Sequence, residues 1–146
     1  MNAASPDAVP VTEHASRAAD AARRFAEAAA RTVRQNVAGP DGRIGAEAVN
    51  DEQRAVHGLA WIATYAETLA RLAAWAEARS GAGGLSRADE LVVLIGFGEF
   101  LASLLDGIAM SQNEIVRPRE LGLVDAAAEL GADPAVAFLL EHGNTA

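Results

Sequence analysis

Three histidines and one glutamate inside a long apolar run are the residues of this chain best placed to do chemistry. His14, His57 and His142 would be the imidazoles of a metal site or of a general base. None stands three residues after an acid, so the Glu-x-x-His pattern of di-iron helical bundles is missing. There is no H-E-x-x-H pair and no nucleophile elbow. Cysteine is absent, which removes disulfides, thiol nucleophiles and thiolate metal sites. Glu99, in "IGFGEF", has no companion acid or base beside it. A single acid in an apolar helix is expected to be structural, bonded to a neighbouring helix or facing solvent beside Asp106. The same stretch looks like a phosphate loop but lacks the third glycine and the preceding strand. Gly96 and Gly98 are better explained as points where another helix's backbone comes close. The residues alone therefore give no catalytic, metal-binding or cofactor-binding set.

The elements that must carry these residues are helical. Alanine is abundant, and it favours helices because it loses no side-chain entropy on ordering. Residues 1–11 hold two prolines and small polar side chains and are expected to be a disordered lead-in, with a helical bundle domain over 12–146. A first helix is predicted from Thr12, as N-cap, to Asn36, with a narrow seam of Ala15, Ala18, Ala22, Phe25, Ala29 and Thr32. "AGPDGRIG" ends it. A second is predicted from Asn50, capped with Gln53, to "GAGG". Its face is Val56, Leu59, Ile62, Ala66, Leu69, Ala73 and Ala76, widened by Trp61, Tyr65, Leu72 and Trp75. A third runs from Ser86, with Asp89 completing a capping signal, to about Met110. "SQNEIVRP" is read as a loop, since Arg117 precedes proline. Short helices follow at Val124–Leu130 and from Asp133–Pro134 to Gly143. No strand alternation is seen. The expected fold is all-α: an antiparallel bundle of three long helices with one or two short C-terminal helices.

The formal net charge is −8, and every basic residue is arginine. That balance argues against nucleic acid, which needs a basic stripe. The arginines of the first helix alternate with acids, and Glu13–Arg17, Asp20–Arg24 and Glu27–Arg31 are spaced for salt bridges along one solvated face. "MNAASPDAVPVTEHAS" has no basic stretch followed by an apolar one, so no secretory signal is read and a cytoplasmic location is expected. Leu91–Met110 is long enough to span a bilayer. Glu99 and Asp106 would each cost about 2.5–3.5 kcal/mol at its centre, and the flanks lack aromatic belts. A helix apolar all round is more simply one enclosed by other helices. Shielding of Leu91–Met110 by its neighbours is the expectation on which the bundle rests.

Two segments, "DEQRAVHGLAWIATYAETLARLAAWAEA" and "IGFGEFLASLLDGIAMSQNEIVRPRELGL", carry a family pattern. They resemble the helical extension that precedes the catalytic core in methylsuccinyl-CoA dehydrogenase and related acyl-CoA dehydrogenases. The likeness covers roughly Arg43 to Asn144 and is densest at His57–Trp61, Ala63–Tyr65, Gly96–Glu99, Met110–Gln112 and Glu114–Pro118. The resemblance implies a parent flavoprotein that uses FAD to oxidise a short branched acyl-CoA to the enoyl-CoA. Its catalytic glutamate and its flavin belong to the later core, so Glu99 is not the counterpart of that base. No cofactor is expected within residues 1–146.

Two functions compete on this reading. The first is a docking or assembly domain whose partner is the acyl-CoA dehydrogenase core or a neighbouring subunit, possible homo-oligomers included. The exit loop "MSQNEIVRP" supplies the candidate docking residues Ser111, Gln112, Glu114 and Arg117, because loop main chain and charged side chains need partners. The plain alternative is a loop packed on its own bundle. The second function is a stand-alone helical interaction protein, an adaptor or a phasin-like coat on polyester granules, which would need an exposed apolar face. No membrane span is expected in either.

Overall fold

The computed structural model describes residues 9–143. The expected lead-in falls outside them over residues 1–8. Among the described residues there are six helices, α1 (Val11–Val37), α2 (Ala46–Asp51), α3 (Gln53–Gly81), α4 (Arg87–Asp106), α5 (Val124–Ala132) and α6 (Pro134–Gly143). Between α4 and α5 lie two short strands, β1 (Ile108–Ser111) and β2 (Glu114–Val116), and a 3-10 turn over Pro118–Leu121. The all-α architecture holds, with one small hairpin added.

α1, α3, α4 and α6 form an up-down-up-down ring. Ser16 donates to Glu77 across α1 and α3, and Arg79 meets Asp89 at 3.3 Å across α3 and α4. Gly131, in α5 just before α6 begins, lies beside Leu105, whereas Gly143 at the far end of α6 abuts the carbonyl of Leu94. The ring closes where His14 of α1 stacks on Phe138 of α6. Alanines 15, 18, 22 and 29 of α1 are fully buried, together with Leu69, Val93, Phe97, Leu101, Val136 and Leu139. Small side chains on α1 let its neighbours approach closely, and the larger residues of α3, α4 and α6 fill the space.

Helix ends follow local chemistry. Ser86 and Asp89 form a reciprocal capping box at the start of α4, and Asp133 Oδ1 accepts the Ala135 N–H at 2.9 Å at the start of α6. Two expected caps are not used. α1 begins at Val11 behind Pro10, whose carbonyl accepts the N–H groups of Glu13 and His14, so Thr12 lies inside the helix. Asn50 is likewise inside α2, because Ala46–Val49 already favour helix; the break falls at Glu52 and no side chain caps it. The seam of α1 continues to Val33 and Val37, with Thr32 only half buried.

α4 departs furthest from expectation. It stops at Asp106, because Gly107 takes φ 134°, a conformation open mainly to glycine, and Ile108–Met110 enter a strand. Nor is Leu91–Met110 shielded throughout. Val93, Phe97, Leu101 and Leu104 are buried, while Leu91, Val92 and Ile95 are 40%, 53% and 53% exposed. α1, α3 and α6 pack along α4 and α5 meets its C-terminal end, while the side that carries Leu91, Val92 and Ile95 stays uncovered. Gly98 does admit a backbone, that of Gly143, as expected. Gly96 instead meets a side chain, the end of Leu72.

Candidate functional site

The candidate docking loop is a β-hairpin seated on α3. Ile108 pairs with Val116, Ala109 with Ile115 and Ser111 with Glu114, with an irregularity between Ala109 and Ser111. Alternation then sorts the side chains. Ile108, Met110 and Val116 are buried, and Ala109, Ser111 and Ile115 are exposed. Gln112 and Asn113 form the exposed tip. The hairpin escaped the sequence reading because each strand is only three or four residues long, with too few positions to display alternation.

One arginine holds the hairpin down. Arg54, in the first turn of α3, donates through Nη2 to the Ile115 carbonyl at 2.7 Å and to Glu120 Oε2 at 3.2 Å. Its Nε lies 3.9 Å from Glu114 Oε1. Glu120 Oε2 also accepts the Arg117 backbone N–H at 2.9 Å. That backbone bond, followed by the nearby Arg54 and Arg117 charges, outweighs partial desolvation and holds the Glu120 carboxyl below its usual range. Arg117 Nη1 stands 3.9 Å from Glu120.

The four candidates therefore divide in two. Glu114 and Arg117 are drawn together around Arg54 and Glu120 and serve to position the hairpin. Ser111 and Gln112 are presented outward at the tip. Sequence reading missed both anchors, although Glu120 three residues after Arg117, at the mouth of a proline-started turn, was a readable capping signal.

An aromatic chain runs beside the hairpin. Trp61 Nε1 donates to His57 Nε2 at 3.1 Å. Trp61 meets Tyr65 edge-on at 6.1 Å, and Tyr65 meets Phe100 of α4 at 4.7 Å. These contacts tie α3 to α4. His57 is thus a structural acceptor here. His14 and His142 lie on the two faces of Phe138, at 3.8 and 4.2 Å. Among the described residues no three His, Cys, Asp or Glu converge as metal ligands, and no helix is long and apolar enough to cross a membrane.

Glu99 is exposed and has no ion-pair partner among the described residues. Of the expected salt bridges only Glu13–Arg17 forms as paired. Arg23 bridges Asp20 and Glu27 instead, at 3.3 and 2.9 Å, and the hydrogen bonds it donates to the two acids raise its pKa further. Arg24 turns to Asp133 at 3.5 Å and joins α1 to the start of α6. Arg23 reaches Asp20 at i,i+3 and Glu27 at i,i+4 and so occupies both acids, which explains the changed partners.

No protein-family model matches the chain. Over 106 residues it is 40% identical to (2S)-methylsuccinyl-CoA dehydrogenase of Cereibacter sphaeroides, a match covering 72% of this chain and 18% of that protein. The chain therefore spans less than a fifth of the curated relative it matches.

Proposed function

We propose that this chain is a helical docking and assembly domain of an acyl-CoA dehydrogenase, resembling the N-terminal extension of the methylsuccinyl-CoA enzymes. The observation that carries this reading is the 40% identity over 106 residues to (2S)-methylsuccinyl-CoA dehydrogenase. In this reading the parent oxidises a short branched acyl-CoA to the enoyl-CoA, and the partner is the enzyme core or a neighbouring subunit. The hairpin tip, Ser111 to Asn113, with Ile115 beside it, makes the contact. Arg54, Glu114, Arg117 and Glu120 hold it in place.

FAD is assigned to the remainder of such an enzyme. Gly96 and Gly98, the glycine pair most like a phosphate loop, are packed within α4 against Leu72 and Gly143. The residues of this chain do not fit a flavin phosphate there.

The test mixes the chain with a methylsuccinyl-CoA dehydrogenase whose matching segment has been deleted, and measures complex formation by sedimentation. A complex is expected, weakened when Ser111 and Gln112 are both changed to glycine and less directly by Arg117→Ala. Absence of any complex overturns the docking reading.

A second reading has one observation in its favour. The exposed Leu91, Val92 and Ile95 are what a stand-alone interaction protein would present, an adaptor or a phasin-like granule coat. Recruitment of the chain to polyester granules or lipid droplets, without binding to the enzyme, favours it.

A further inference from the structure

We infer that the uncovered side of α4 binds a second copy of this chain, helix against antiparallel helix, about a two-fold axis. The observation is a row of four residues at four-residue spacing: Arg87, Leu91, Ile95 and Glu99. Such a row is one ridge of a helix surface, the kind that packs into the corresponding groove of another helix at a crossing of about −50°. The row reads positive, apolar, apolar, negative. Reversed, as an antiparallel partner presents it, it reads negative, apolar, apolar, positive.

Self-complementarity is what a two-fold interface requires, since each contact occurs twice with the roles exchanged. Centred between Leu91 and Ile95, the pairing sets Leu91 against the partner's Ile95 and Arg87 against the partner's Glu99. Val92, 53% exposed on the neighbouring ridge, widens the apolar centre near the axis.

The charges are available for this. Glu99 has no ion-pair partner among the described residues. Arg87 lies 3.1 Å from Glu90, but the two side chains are 72% and 39% exposed, and a surface pair at i,i+3 holds weakly enough to be exchanged. A register slipped by one turn would bring Glu99 onto the partner's Leu91 and leave both acids against apolar side chains. The charges thus select one register as well as tolerating it. A single helix face is small beside the ~1,200–2,000 Å² of stable interfaces, so the dimer is reversible and concentration-dependent.

This pairing is independent of the hairpin and of the proposed enzyme partner. It is tested on the isolated 146-residue chain by sedimentation equilibrium across a concentration series, with circular dichroism to confirm that each variant keeps its helices. The wild type is expected to dimerise. Ile95→Asp is expected to raise the dissociation constant by about tenfold or more, as loss of a central apolar contact does. Arg87→Glu and Glu99→Arg are each expected to weaken the dimer, and the double variant to restore it. A chain that stays monomeric at every concentration overturns the inference, as does a dimer indifferent to Ile95→Asp. A dimer that needs Ile95 but shows no rescue in the double charge exchange overturns the antiparallel register. If the chain is monomeric and Ile95→Asp abolishes binding to an enzyme core or to lipid droplets, the surface belongs to that partner and the inference fails.

Discussion

Gly58 and Val116 touch so closely that a Cβ on Gly58 would stand 2.8 Å from Val116 Cγ2. This is where β2 lies down on α3. Alanine at position 58 would gain about 0.8–1.0 kcal/mol of helix propensity. It would also force a stiff, β-branched, buried neighbour aside, at about 1–3 kcal/mol. Gly58→Ala is therefore expected to lose about 1 kcal/mol in denaturant unfolding. In a Val116→Ala background the same change is expected to become neutral or stabilising. Equal losses in both backgrounds would remove the close contact as the cause.

Gly96 gives the contrasting case. A Cβ there meets only the terminal Cδ2 of Leu72, at 2.7 Å, and that half-buried side chain can rotate away. Propensity then dominates. Gly96→Ala is expected to change stability by less than about 0.5 kcal/mol or to raise it. A loss as large as that of Gly58→Ala would mean that Leu72 is held in place and cannot rotate away.

Arg54→Ala removes the donor to the Ile115 carbonyl and two ionic contacts in one change. Solvent screens much of the charge, since Arg54 is half exposed, so the expected loss is modest, about 0.5–1.5 kcal/mol. Its effect should be local. Amides of residues 108–117 are expected to exchange faster with solvent, while those of α1 and the buried part of α4 keep their protection. Uniform acceleration across the chain would show that Arg54 supports the whole bundle.

The capping residues allow a direct comparison of two serine- or threonine-led starts. Ser86 Oγ accepts the Asp89 N–H at 3.2 Å, and Asp89 Oδ2 accepts the Ser86 N–H at 2.9 Å. Ser86→Ala is expected to cost about 1 kcal/mol. Thr12→Ala is expected to cost almost nothing, because Thr12 caps no N–H and Pro10 starts α1. Matching losses from the two changes would place an N-terminal cap at Thr12 after all.

Helix periodicity and turn glycines made the long helices, α5 and α6 readable in sequence, because burial on one face repeats at a fixed step. The buried faces of α1, and of α3 from Ile62 to Ala76, were legible for the same reason, but Ala55 and Gly58 replace the expected Val56 and Leu59 as the buried residues of the first turns of α3, and Trp75 is 38% exposed. What lay hidden depended on neighbours distant in sequence. Whether α4 was enclosed could not be read from its composition, because that depends on where its neighbours lie: α1, α3 and α6 pack along it and α5 meets its end, yet Leu91, Val92 and Ile95 stay exposed. The hairpin was too short for its period to register. Arg54, 61 residues before Ile115, carries no local sign of the carbonyl it holds. Ser111 and Gln112 are exposed, but at the end of β1 and the tip of a hairpin where a loop was expected, whereas Glu114 and Arg117 are occupied by partners that only the folded chain brings near.

His14 sets the expected response to pH near neutrality. Its ring stacks on Phe138 at 3.8 Å, and its Nδ1 is buried with no hydrogen-bond partner among the described residues. Burial, and after it the Arg17 charge, lower its pKa below 6.5, with Glu13 opposing and His142 adding slightly. The unfolded chain then binds a proton more readily than the folded one. Stability from this group is complete above the unfolded pKa of about 6.5 and is lost as pH falls from there through the folded value. The melting temperature should therefore begin to drop below about pH 7, before the carboxylates titrate. Asp89 and Glu120, whose pKa values are lowered by hydrogen bonds, add a separate loss at more acid pH. His14→Phe keeps a ring against Phe138 and removes the titration. It should flatten the upper part of the profile and leave the acid part unchanged. A His14→Phe profile that still falls between pH 7 and pH 5.5 would assign the upper loss to another group.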